Sequence, residues 1–192
     1  KAKYPQLLII ADGTQYLGVA PFDFEESGID ILGTSCYKWM NAGYGNGFFF
    51  FKDPVMQLAL PSTIGFGSVR GLNSDKQGFV GRFEPGHIDT LALGSVGAAI
   101  DLVQKVGIDT IEQQVDLLKN KALMAFAERE LLEGFIPKRK FHSSIFNIRG
   151  DEKLFDKLRE KDIICSLRGN GIRVSFHYFN TEDDLNKLLK VI

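Results

Sequence analysis

Lys38 stands between Tyr37 and Trp39, just ahead of the glycine-rich stretch Gly43-Tyr44-Gly45-Asn46-Gly47. The chain then runs into Phe48-Phe49-Phe50-Phe51, a continuous apolar run that reads as a buried strand. A lysine among aromatic groups at the end of a sheet is partly stripped of water. Desolvation lowers a lysine pKa, and only the neutral amine is nucleophilic. This is the setting of a Schiff-base lysine. Taken alone, the stretch equally describes an ordinary surface lysine beside a turn, which is the commoner case. Asp12-Gly13-Thr14-Gln15 offers a carboxylate and an amide directly after an apolar run at 7–11. Asp12 by itself reads as a turn or cap aspartate, and Gln15 as a turn residue. Ser35 is a hydroxyl at the end of another apolar run. Arg173, in Arg173-Val174-Ser175, suits a carboxylate partner, although an acidic neighbour on the surface would satisfy it too.

These side chains need elements to hold them. Residues 7–11, 29–34 and 48–51 are predicted strands. The first two deliver Asp12 and Ser35–Lys38 to one sheet edge, and in open α/β sheets ligands bind at the carboxyl ends of the strands. The short connection through Gly43, Gly45 and Gly47 predicts an antiparallel neighbour. Its Gly-x-Gly-x-Gly spacing is no dinucleotide fingerprint, because no helix opens after it. Residues 23–28 read as an acidic loop or short helix. Residues 62–86 are rich in glycine and serine, lack a clear period, and read as a long functional or interface loop. A helix buried on most sides is expected over 88–106, stopped by Gly107. A second, capped by Asp109 with Glu112, is expected to run to about Glu133. The last third reads as a small α+β unit: strand 143–148, helix 151–161, strands 163–167 and 172–176 joined by a hairpin at Asn170-Gly171, and a final helix opened by a capping box at Thr181. The resulting division is 1–110 and 111–192, an α/β portion followed by a small α+β domain.

Composition narrows the function classes. The chain has 192 residues, 44% apolar and 24% charged, with a net charge of −1. That balance is expected of a globular protein, and without a basic excess it argues against a nucleic-acid or membrane-surface partner. No apolar run is long enough to span a bilayer. The two cysteines, Cys36 and Cys165, form neither a Cys-x-x-Cys pair nor a zinc spacing. They read as reduced thiols in a cytoplasmic protein, with no metal site implied. The opening Lys1-Ala2-Lys3-Tyr4-Pro5 leads straight into a strand, as expected of a piece of a longer chain.

Asp-x-x-Gln after one strand, Ser-x-x-Lys after the next and Arg-Val-Ser near the end stand in an order that resembles fold-type I pyridoxal-phosphate enzymes. The resemblance is to the class V aminotransferase and cysteine desulfurase group, and it also takes in Phe83-Glu84-Pro85-Gly86 and the run Arg173 to Thr181. It implies the C-terminal part of a large cofactor-binding α/β domain followed by the small domain. The cofactor implied is pyridoxal 5′-phosphate, the substrate an amino acid, and the assembly a homodimer. Asp12 matches the carboxylate that keeps the pyridine nitrogen protonated, so that the ring works as an electron sink. Gln15 matches the partner of the phenolic oxygen, and Ser35 a phosphate-binding serine. Tyr37 replaces the usual histidine, with a hydroxyl able to reach the phosphate. Lys38 matches the aldimine lysine, which also moves a proton at the substrate α-carbon. Arg173 matches the arginine that holds the α-carboxylate. His87 stands where threonine is often found.

The segment Tyr37 to Gly43 resembles the lysine segment of kynureninases, whereas Arg173 to Thr181 is closer to isopenicillin-epimerase-like members. Transaminase-like and lyase-like chemistry, including cysteine or selenocysteine lyase action, both follow from the resemblance. Desulfuration is disfavoured, since Cys165 falls inside an expected strand, where a thiol is an inert core residue. An inactive fragment and a non-catalytic interaction domain are the competing readings.

Overall fold

The computed structural model describes residues 1–59, 62, 78–84 and 86–192. It divides into two compact units, Lys1–Val106 and Gly107–Ile192.

In the first unit, β1 (Ile10–Asp12), β2 (Ile31–Ser35) and β3 (Gly47–Phe51) form a sheet in that order. β1 runs parallel to β2, with Ile10 opposite Ile31 and Asp12 opposite Gly33. β3 is antiparallel to β2, with Ser35 opposite Gly47. The antiparallel expectation thus holds, although an eleven-residue connection, residues 36–46, replaces a tight hairpin. The start of β1 is pinned by Asp30, whose carboxylate accepts the Ile9 N–H at 2.8 Å.

Burial of the two outer strands differs from expectation. β1 begins at Ile10 rather than residue 7, and Ile10 is 68% exposed; on β3, Phe49 is 66% exposed. Both strands flank β2, and no described strand covers their outer sides. Only the middle strand acquires an alternating buried set, Leu32 and Thr34. Phe49 lies across the bare backbone of Gly33, where a Cβ would sit 2.4 Å from its ring. Any side chain at position 33 would displace that ring.

Among the described residues, two short helices, α1 (Asp53–Met56) and α2 (Gly78–Phe83), follow β3. α2 falls in the segment read as an aperiodic loop; residues 63–77 of that loop lie outside the described residues. Phe51, Phe79 and Phe83 explain it: their rings meet at 4.7–5.8 Å between centroids. Tertiary contact therefore supports helix where local composition did not. α3 (Thr90–Val106) matches the expected span but not the expected burial. Only Ala92 and Ala99 are buried, whereas Leu91 is 85% exposed.

The second unit is built on α4 (Ile108–Glu128), β4 (Ile145–Arg149), α5 (Glu152–Glu160), β5 (Ser166–Arg168), β6 (Gly171–Ser175) and α6 (Glu182–Leu189). The sheet order is β4-β6-β5, antiparallel throughout. Ile111, Val115, Leu118, Ala122 and Phe126 place the apolar stripe of α4 inward at helical spacing. Phe126 meets the Phe146 ring edge-on at 5.3 Å, and Leu118, Phe126, Ile148, Leu158 and Ile172 are fully buried together.

Gly107, at φ 89°, makes the N-cap of α4, so Asp109 lies inside the first turn instead of capping it. There its charge still complements the helix dipole. The helix stops at Glu128, short of the expected Glu133. The hairpin glycine is Gly169 at φ 56°, the first residue of a two-residue turn. Gly171 instead occupies β6, where a Cβ would lie 2.5 Å from the Ile148 carbonyl oxygen. The Thr181 capping box is present: Asp184 N donates to Thr181 Oγ1 at 3.3 Å and Thr181 N to the Asp184 carboxylate at 2.8 Å.

Two substitutions separate core from cap. Phe126→Ala removes a fully buried ring and should cost about 3–5 kcal/mol. Thr181→Ala should cost about 1 kcal/mol. Urea unfolding followed by far-ultraviolet circular dichroism checks both, and equal losses would contradict this ranking.

Candidate functional site

The parallel register carries Asp12 and Ser35 to one edge of the first sheet, and Thr14 ties them together. Thr14 N–H donates to Asp12 Oδ1 at 2.9 Å, and Thr14 Oγ1 accepts the Ser35 N–H at 3.0 Å. The Thr14 hydroxyl, then its backbone N–H, hold the Asp12 carboxyl below the usual carboxylate range. Slight desolvation opposes them, and the charge of Lys38 assists. Asp12 is therefore an anion within electrostatic reach of Lys38.

Lys38 sits in a closed turn. Cys36 carbonyl oxygen accepts the Ala42 N–H, and Lys38 carbonyl oxygen accepts the Asn41 N–H, both at 3.0 Å; Asn41 takes φ 59° to close it. Fully buried Cys36 and nearly buried Trp39 anchor the turn, leaving Tyr37 exposed and Lys38 half-buried between them. Lys38 Nζ lies 5.6 Å from the centre of the Tyr37 ring, whose other neighbour is Tyr44 at 5.3 Å. Gln15 reaches this turn from the β1 side: its Oε1 accepts the Trp39 indole N–H at 2.7 Å.

Past the turn, Asn46 Nδ2 donates to Ala92 carbonyl oxygen and Ser95 Oγ at 3.0 and 3.1 Å, and Gly43 N–H donates to Ser95 Oγ at 3.0 Å. The glycine-rich stretch is thus stapled to α3. Beside it lies an open depression of about 740 Å³ lined by Ser35, Tyr37, Tyr44, Asn46 and His87, among others. His87, a departure from the family pattern, is brought to the same surface as Ser35 and Tyr37.

Arg173 belongs to the second unit. On the central strand it pairs with Asn147 on one side and Ser166 on the other. Ile172 and Val174 point to the core, so Arg173 occupies the opposite, half-open face. No ion pair engages its guanidinium among the described residues. His177 stacks on Phe179 at 4.4 Å, and its Nδ1 accepts the Tyr178 N–H.

Cys165 lies ahead of β5, not within a strand as expected, and packs against the core of the second unit. Burial pushes its thiol up, partly offset by Arg159. Among the described residues no cluster of three or more His, Cys, Asp or Glu side chains is arranged to hold a metal ion.

Three residues escaped the sequence reading. Thr14 had a signal: an aspartate side chain commonly accepts the backbone N–H two residues on, closing a turn. Trp39, the single tryptophan, had only its place beside the lysine. Ser95 had none, since its partners are some fifty residues away.

The donor set fits pyridoxal phosphate by its chemistry: an anionic carboxylate, an amide, a hydroxyl-lined depression and an amine on one sheet edge. Comparison with known proteins agrees. The family model for aminotransferase class-V matches residues 1–188. The chain is 24% identical to an uncharacterized aminotransferase of Bacillus subtilis, covering 96% of this chain and 50% of the relative. It is 28% identical to a cysteine desulfurase of Yersinia pestis, covering 81% of this chain and 39% of the relative. The apo cysteine desulfurase of Thermococcus onnurineus superposes with a TM-score of 0.82 at 20% identity, covering 99% of this chain and 52% of that one. The chain spans about half the length of the curated relatives it matches, and it belongs to the class V aminotransferase family, whose members use pyridoxal phosphate.

Proposed function

We propose that the protein is a pyridoxal-phosphate enzyme that works on an amino acid through Lys38. The observation that carries this reading is the meeting of Asp12, Gln15 and Lys38 on one sheet edge, with Asp12 held anionic. When bound, the cofactor supplies an electron sink for negative charge developing at the substrate α-carbon. Lys38 Nζ would hold the cofactor and would move a proton at that carbon. Asp12 retains the proton on the ring nitrogen, and an anion does this without help from burial. The Gln15 amide serves the phenolic oxygen. Ser35 and Tyr37 offer hydroxyls to the phosphate from the depression they line. Arg173, which no ion pair engages among the described residues, takes the substrate carboxylate, for which a guanidinium gives a bidentate fit.

The chemistry supported best is transaminase-like or lyase-like, without a thiol nucleophile from this chain. Fully buried Cys36 and core-packed Cys165 both have thiols pushed up by burial, so neither favours the thiolate that attacks sulfur.

Borohydride reduction after incubation with pyridoxal phosphate, followed by peptide mass analysis, tests the attachment. The cofactor should be fixed on the peptide that carries Lys38, and Lys38→Ala should remove it. Equal labelling in the Lys38→Ala protein would sink the proposal. Arg173→Leu should weaken amino-acid binding roughly tenfold to a hundredfold, read as the amino-acid dependence of the cofactor spectrum.

Thr14→Val tests how Asp12 is held. A carboxyl depressed in the folded state adds stability above its unfolded pKa, and that stability is lost as pH falls through the folded value. Removing the hydroxyl should raise the Asp12 pKa in a carbon-13 titration and flatten the acid limb of the stability curve. An unchanged Asp12 titration would show that Thr14 does not set it.

A further inference from the structure

We infer that Trp39 is a positioning residue: its indole N–H locks the Gln15 amide so that the NH₂ end, not the carbonyl end, is left to act at the Lys38 edge. An indole N–H can only donate, so its partner on Gln15 must be the amide oxygen. The 2.7 Å contact therefore fixes the sense of an amide that could otherwise turn end for end. With Oε1 engaged, what Gln15 offers a ligand is a pair of N–H donors. The oxygen it faces is served as an acceptor, and its negatively charged form is favoured over its protonated form.

The lock is held in place from both sides. Trp39 is only 6% exposed, so its ring does not swing into solvent. Gly18, at φ 92°, passes so close to the Trp39 backbone that a Cβ there would sit 2.7 Å from the Trp39 carbonyl oxygen. The turn that carries Gln15 and the turn that carries Lys38 are thus packed backbone against backbone. Trp39 lies next to Lys38 in sequence, so this contact joins the turn that carries the amine to the turn that carries the amide. The inference rests on the proposed cofactor reading for what Gln15 faces, but not for the lock itself.

Because Trp39 is the single tryptophan, its indole gives one nitrogen–proton resonance in the cofactor-free chain. That proton should exchange slowly, and Gln15→Leu should shift the resonance and speed exchange about tenfold. An indole signal indifferent to Gln15→Leu would overturn the lock. In protein loaded with pyridoxal phosphate, a donor at the phenolic oxygen favours the deprotonated chromophore. Trp39→Phe and Gln15→Leu should then each raise the pH midpoint of the visible band, by about half a unit. A midpoint that moves in Gln15→Leu but not in Trp39→Phe would overturn the positioning role. A band that survives Lys38→Ala sinks the proposed function instead and leaves the indole measurement to decide the lock. Circular dichroism on both variants separates these effects from misfolding.

Discussion

The hydroxyl of Thr14 is the smallest group on which the site depends. It accepts the Ser35 N–H while the backbone N–H of the same residue donates to the Asp12 carboxylate, so Thr14 joins the ends of two parallel strands. Parallel pairing places the two carboxyl ends on the same side but leaves their loops free to diverge. Gly13 N–H, donating to Gly33 carbonyl oxygen at 2.7 Å, carries the pairing one residue past β1. Gly13 is buried, and a Cβ there would press on Leu32 at 3.0 Å. The close approach of the backbones and the hydroxyl bridge are thus one device. Through it, a register set by hydrogen bonds at Ile10 and Ile31 is transmitted to Asp12, Ser35 and the turn that holds Lys38.

The same chain of contacts explains why the lysine turn can be exposed and still be well defined. Cys36 and Trp39 are buried, and two backbone hydrogen bonds close the loop around Lys38. Asn41 accepts a left-handed φ of 59°, a conformation that asparagine tolerates better than most residues. Asn46 and Ser95 then fasten the far end of the loop to α3. Order comes from hydrogen bonds and two anchors, so Tyr37 and Lys38 need no burial of their own.

What was legible in the sequence follows from range. The Thr181 capping box is local and could be read directly. Helix α4 was legible because its apolar stripe obeys helical spacing. The positions of Asp12, Ser35 and Lys38 at strand ends were legible because apolar runs end where polar turns begin. Burial was not: Phe49 and Leu91 have the chemistry of core residues, but whether a side chain is covered depends on a neighbour that sequence pattern does not contain. Helix α2 was hidden for a related reason, since its support is a ring cluster that includes Phe51. The N-cap of α4 was misplaced by two residues because Gly107, by reaching φ 89°, starts the helix before the better capping side chain arrives.

The electrostatic state of Asp12 has a consequence for how the site is prepared. A carboxylate can be kept ionised by a nearby cation or by hydrogen bonds, and the two behave differently when a ligand arrives. A cation such as Lys38 loses its influence when its amine is used in chemistry or turns away. Hydrogen bonds from Thr14 do not. Here the Thr14 contacts dominate and the charge of Lys38 is the smallest contribution. Asp12 therefore keeps its charge through changes at Lys38, and its donors are oriented before any ligand is present. That is electrostatic preorganisation supplied by one residue of a single turn, through its hydroxyl and its backbone N–H.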